Sequence, residues 1–73
     1  MRTVQDGRGM IWICLELPEV PVEHRALAAA LPAGTVAIEC NTGAERVVAL
    51  VPAGWDDAME DRQLVDAIEA ALA

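Results

Sequence analysis

Few side chains in this sequence are of types that carry out chemistry, and their spacing limits what each can do. His24 is the single histidine and stands between Glu23 and Arg25. A general base needs a nucleophile within hydrogen-bond reach, but the chain has no serine and its two thiols, Cys14 and Cys40, fall in predicted strands. His24 therefore reads as a solvated surface histidine. Together, His24, Cys14 and Cys40 supply three candidate metal ligands. A structural zinc site takes four, usually with one closely spaced pair. No pair here is close, and the fourth ligand would have to be a carboxylate. The cysteines read as small buried apolar residues instead. No catalytic, cofactor-binding or metal-ligating residue is assigned, no cofactor is expected, and the chain is expected not to be an enzyme, because polar groups convergent on one pocket cannot be assembled from these residues.

Two other groups of residues can make contacts. Asp56, Asp57, Glu60 and Asp61 form a dense acidic cluster, with Asp66 and Glu69 further along. Acids so placed favour a helix N-terminus through its dipole and solubilise the outer face. The functional reading of the same cluster is a surface that binds a basic protein by imitating nucleic-acid phosphates. Trp12 and Trp55 are the only aromatic residues, and tryptophan serves both as a core plug and as an interface anchor. Trp55 is expected in the core at a sheet–helix junction. Trp12, flanked on its strand face by Met10 and Cys14, is expected to form a small apolar contact patch. The candidate partner-binding residues are thus Met10, Trp12 and Cys14, and the acids Asp56, Asp57, Glu60 and Asp61.

The elements that must position these residues are centred on Glu45 to Leu72. Val47 to Val51 is short, rich in β-branched residues and stopped by Pro52, as a buried strand would be. Gly54 permits a sharp turn, and Trp55 opens the last helix. That helix carries Leu64, Val65, Ile68, Ala71 and Leu72 on one stripe. It starts either at Asp56 or near Glu60, where Met59 and Leu64 are placed for a hydrophobic staple. Upstream, Arg2 to Gln5 and Met10 to Leu17 read as a hairpin around Asp6-Gly7-Arg8-Gly9. In the second of these strands Ile11, Ile13, Leu15 and Leu17 are expected to face the core, leaving Met10, Trp12, Cys14 and Glu16 half exposed. Pro18 and Pro21 end the hairpin, and Glu23 to Leu31 reads as a short helix. Thr35 to Cys40 is the third strand, joined to the fourth through Asn41-Thr42-Gly43-Ala44 with Gly43 left-handed. The expected fold is α+β, in the order ββαββα: a four-stranded antiparallel sheet with two helices on one face, as a single small domain over residues 1–73.

The C-terminal pattern Arg46, Leu50, Pro52, Gly54-Trp55, Met59, Leu64 resembles the tail of short uncharacterised proteins of high-GC bacteria. The shared pattern has the form R-x3-L-x-P-x-G-W and covers less than half of the chain. The resemblance implies no activity, cofactor or site residue. The abundant alanine, and the absence of lysine, serine, tyrosine and phenylalanine, match the same bacterial composition.

Composition narrows the choice of partner. The net charge is −7 and the isoelectric point about 4.3. The basic residues are five scattered arginines, so direct binding to nucleic acid or to an anionic membrane is not expected. No targeting segment or membrane span is legible. The cytoplasm is the expected location, with Cys14 and Cys40 as free thiols. Of the 73 residues, 55% are apolar, whereas a chain of this size has few interior positions. Apolar surface left outside usually marks a dimer seam or partner site. The sequence thus predicts a small acidic, non-enzymatic protein-interaction module, an accessory subunit or adaptor, that self-associates through an apolar face. The alternative is an acidic inhibitor or regulator that mimics nucleic-acid phosphates.

Overall fold

All four strands read from the sequence join one antiparallel sheet in the computed structural model, which describes residues 1–18 and 32–73. They are β1 (Arg2–Gln5), β2 (Ile11–Glu16), β3 (Thr35–Asn41) and β4 (Arg46–Pro52), side by side in chain order. Two helices follow, α1 (Trp55–Ala58) and α2 (Asp61–Leu72). The class is α+β, as expected. Among the described residues the order is four strands and then two helices, rather than ββαββα. The helix expected over Glu23 to Leu31, with His24 on it, lies outside the described residues.

Local chemistry accounts for the turns. Between β3 and β4 the Thr42 N–H donates to the Glu45 carbonyl at 2.9 Å, and Gly43 takes φ 93°, the left-handed position the sequence predicts for it. After β4, Gly54 takes φ 84° and swings the chain into α1. Met59 is extended, with φ −85° and ψ 135°, so the expected C-terminal helix is divided in two. The longer piece begins after Glu60, whose N–H donates to the Gln63 side-chain oxygen at 2.8 Å. Met59 and Leu64 both pack into the core at the two staple positions, so the second of the two helix starts is the one adopted.

The core lies on one face of the sheet, here called the inner face. Val4, Trp12, Cys14, Ile38, Cys40, Ala49 and Val51 pack there against Trp55, Leu64 and Ile68. Helix α2 spans this face and touches both edge strands, β4 and β1.

The facing of β2 is the opposite of the sequence expectation. Trp12 and Cys14 are fully buried, while Ile11, Ile13 and Leu15 are 52%, 39% and 44% exposed. A strand's side chains alternate between faces, so a choice made at one residue is made for all of them. The register pairs Val4 with Trp12 and Cys14 with Cys40. It therefore joins the side of β2 that holds the indole to the apolar sides of β1 and β3. The indole buries more apolar area than an isoleucine, and its N–H finds a carboxylate, so nothing polar opposes its burial.

Candidate functional site

Each tryptophan is held by an acid. Trp12 Nε1 donates to Asp6 Oδ2 at 2.9 Å, and Trp55 Nε1 donates to Glu16 Oε1 at 3.0 Å. Asp6 also accepts from the N–H groups of Arg8 and Met10, at 2.9 and 3.0 Å, and so closes the β1–β2 turn. Arg2 plays the matching part at the other end of the sheet. Its guanidinium donates to the carbonyls of Trp55 and Asp56 at 2.9 and 3.2 Å, and to Asp61 Oδ1 at 2.8 Å, tying β1 to both helices.

Among the described residues two surfaces carry exposed side chains. The first is the outer face of the sheet, opposite the helices. The register sets Thr3, Ile13, Asn41 and Arg46 in one cross-strand row, Leu15, Glu39 and Val48 in the next, and Ala37 with Leu50 beyond. Ile11, Ile13 and Leu15 form its exposed centre, with Val48 and Leu50 half-buried beside them. The described charges on this face are Glu39 and Arg46, and they pair with each other at 3.0 Å. Among the described residues the charges of this face thus balance, in a chain of net charge −7.

The second surface is acidic. Asp56, Asp57, Glu60 and Asp61 are all exposed along α1 and the start of α2. Beside them an open groove of about 530 Å³ runs between the β1–β2 turn and α2, lined by Gln5, Asp6, Asp61, Arg62, Asp66 and Glu69 among others. Asp61 is occupied by Arg2, and Asp6 by its own turn and by Trp12. Among the described residues no three histidines, cysteines or acids are grouped to hold a metal ion.

The predicted contact residues are thus only partly brought together. The four acids share a surface. The patch of Met10, Trp12 and Cys14 does not form: Met10 is half-buried at the turn, and Trp12 and Cys14 are inside the core. The apolar surface belongs to the other side of the same strand, to Ile11, Ile13 and Leu15. Trp55 is in the core, as the sequence predicts. Sequence reading missed the anchoring roles of Asp6 and Arg2. An aspartate six residues before a tryptophan, across a glycine turn, was the available signal for the first. Nothing local marks the second, whose partners lie more than fifty residues away.

Comparison with known protein families, curated proteins and solved structures finds no match for this chain. Among the described residues no helix is long and apolar enough to cross a membrane.

The hydrogen bond from Trp12, followed by those from Met10 and Arg8, outweighs burial and lowers the Asp6 pKa from 3.8 to about 2. A carboxyl group that is more acidic in the folded chain than in the unfolded one stabilises the fold when ionised. That stabilisation is complete above about pH 4 and is lost as pH falls through about 2. Thermal melts across this range are expected to show a falling midpoint, with a smaller fall in Asp6→Asn. Equal acid sensitivity in the two proteins would show that other carboxylates carry the effect.

Proposed function

We propose that the chain is a non-enzymatic protein-interaction module that pairs with a second copy of itself through the outer face of the sheet. The observation that carries this is the exposed strip Ile11, Ile13 and Leu15 on the central strand β2. Three large aliphatic side chains on adjacent rows of one face form a contiguous patch, and such patches mark interaction sites. Charge favours a second copy as the occupant. The exposed helical face is acidic, so two copies meeting there would repel each other. Among the described residues the outer face instead carries a matched Glu39–Arg46 pair and no excess charge. A twofold contact between identical surfaces needs that kind of self-complementarity. A reducing cytoplasmic setting suits the two free, buried thiols.

Sedimentation at micromolar concentration tests the proposal. The parent is expected to sediment as a dimer, and to remain so in roughly 1 M salt, where the screening length is only about 3 Å. Ile13→Glu places a charge on the apolar strip and is expected to weaken association at least about 30-fold, equivalent to about 2 kcal/mol, with an unchanged helical signal and melt. A monomeric parent would refute the proposal. The rival reading is a basic partner on the acidic surface, favoured by the open groove beside Asp61, Asp66 and Glu69. It predicts capture of a basic protein that is lost with added salt and is indifferent to Ile13→Glu.

A further inference from the structure

Cys14 and Cys40 are register partners on the two central strands, and both are free and fully buried. The backbone hydrogen bonds around them show which kind of partners they are. In an antiparallel ladder, pairs that exchange backbone hydrogen bonds alternate with pairs that do not. Leu17 N–H donates to the Ala37 carbonyl at 2.9 Å and marks that pair as bonded. Counting back along the register, Leu15–Glu39 is the next bonded pair, and Cys14–Cys40 falls between bonded positions. Both flanking hairpins agree. The Asp6 N–H bond to the Met10 carbonyl sets the phase of β1–β2 so that Cys14 directs its backbone groups toward β1. The Thr42 N–H bond to the Glu45 carbonyl directs those of Cys40 toward β4. No backbone hydrogen bond therefore runs between the two cysteines.

This register brings side chains closest together. Its Cα atoms stand about 4.5 Å apart, within the roughly 4.4–6.8 Å that a disulfide spans. Both side chains lie on the inner face and pack in the same buried cluster. We propose that Cys14 and Cys40 are a redox-active dithiol, which a hydroperoxide converts to an intramolecular disulfide joining β2 to β3. The two sulfurs are not equivalent. Arg2 is the register partner of Cys14 and sets a positive charge beside it. Hydrogen bonding from Cys40, and then that charge, favour the thiolate at Cys14 against the cost of burial. The same hydrogen bond and burial hold the Cys40 proton in place. Cys14 is thus the attacking sulfur and Cys40 the resolving one.

In the first step the Cys14 thiolate attacks the peroxide oxygen. A sulfur–oxygen bond forms, the oxygen–oxygen bond breaks, and hydroxide or alkoxide leaves, taking up a proton. The Cys40 sulfur then attacks Cys14. The sulfur–sulfur bond forms, the sulfur–oxygen bond breaks, and hydroxide leaves as water with the proton of Cys40. Overall, two thiols give up two electrons and two protons, and the hydroperoxide is reduced. An external dithiol reverses the bond by exchange. Because both sulfurs are covered, the first step waits on local opening of the core.

Hydrogen peroxide added to the folded, reduced chain tests this, with unfolding, alkylation and mass spectrometry as the readout. The expected result is a monomer that has lost two hydrogens, takes up no alkylating reagent, and regains both reactive thiols after treatment with dithiothreitol. Two alkylatable thiols, an oxygen adduct on either sulfur, or a cross-linked pair of chains would overturn it. A second test assigns the roles. Cys40→Ala, exposed to peroxide in the presence of dimedone, is expected to be labelled at Cys14, while Cys14→Ala is expected to remain unlabelled at Cys40. The reverse pattern would overturn the assignment. The parent protein alone decides whether the disulfide forms, so the test survives a variant that does not fold.

Discussion

Trp12→Ala is expected to leave the chain largely unfolded at room temperature. The indole is wholly buried, in a cluster that includes Val4, Cys14 and Ile68, and its N–H is spent on Asp6 at 2.9 Å. Truncating a buried tryptophan costs about 3–5 kcal/mol through lost burial and the cavity left behind. A domain of this size holds only about 3–5 kcal/mol in total, so one substitution can remove all of it. The pairing of Val4 with Trp12, and of β2 with β3, makes collapse of the cavity difficult, because both flanking strands are held by their ladders. Trp12→Phe keeps one aromatic ring but loses the N–H donor and part of the buried volume, and is expected to fold with a lowered melting midpoint. Melts followed by far-ultraviolet circular dichroism decide the matter. If Trp12→Ala melts within a few degrees of the parent, this side chain is not the centre of the core.

Trp55→Ala is expected to be nearly as damaging, toward the lower end of the same ~3–5 kcal/mol range. Trp55 is 2% exposed and fills the corner between the end of the sheet and the helices. Its N–H is bound to Glu16 and its carbonyl accepts from Arg2. Gly54, with φ 84°, turns the chain there just beyond Pro52, and the ladder of β4 restrains one side of the cavity. The other side is α1, a single helical turn, which can relax further than a strand can. Glu16→Gln keeps an acceptor for the indole and is expected to melt close to the parent. A Trp55→Ala protein that melts as the parent does would make Trp55 a surface contact rather than a core residue.

Much of the fold was legible in the sequence because it depends on local chemistry. The strands are short alternating runs closed by glycine and proline, and their observed limits differ from the expected ones by a residue or so. Gly43 was placed correctly because the turn after β3 needs a left-handed residue. Of the two helix starts the sequence left open, α2 adopts the one marked by Met59 and Leu64, a contact between neighbouring turns of chain. The acidic cluster was legible too, since charged side chains beside a helix start remain in water wherever the helix packs.

The apolar surface was not legible, and β2 shows why. Met10, Trp12 and Cys14 on one side, and Ile11, Ile13, Leu15 and Leu17 on the other, are both apolar, so alternation says that there are two faces without saying which is covered. That choice is made by partners outside the strand itself. Val4 and Cys40 line up beside Trp12 and Cys14, Asp6 accepts the Trp12 N–H, and α2 returns from the far end of the chain to cover that side. The anchors formed by Arg2, the pairing of the two thiols and the exposed strip of Ile11, Ile13 and Leu15 all follow from the same choice. The sequence by itself determined where the strands and turns form and that helix follows the last strand, because nearest-neighbour sterics and capping decide those. Only the tertiary structure decided which side of the central strand meets water, because that is a competition between two buried areas, settled jointly by nearby Val4 and Asp6, by Cys40 across the sheet and by α2 from the far end of the chain.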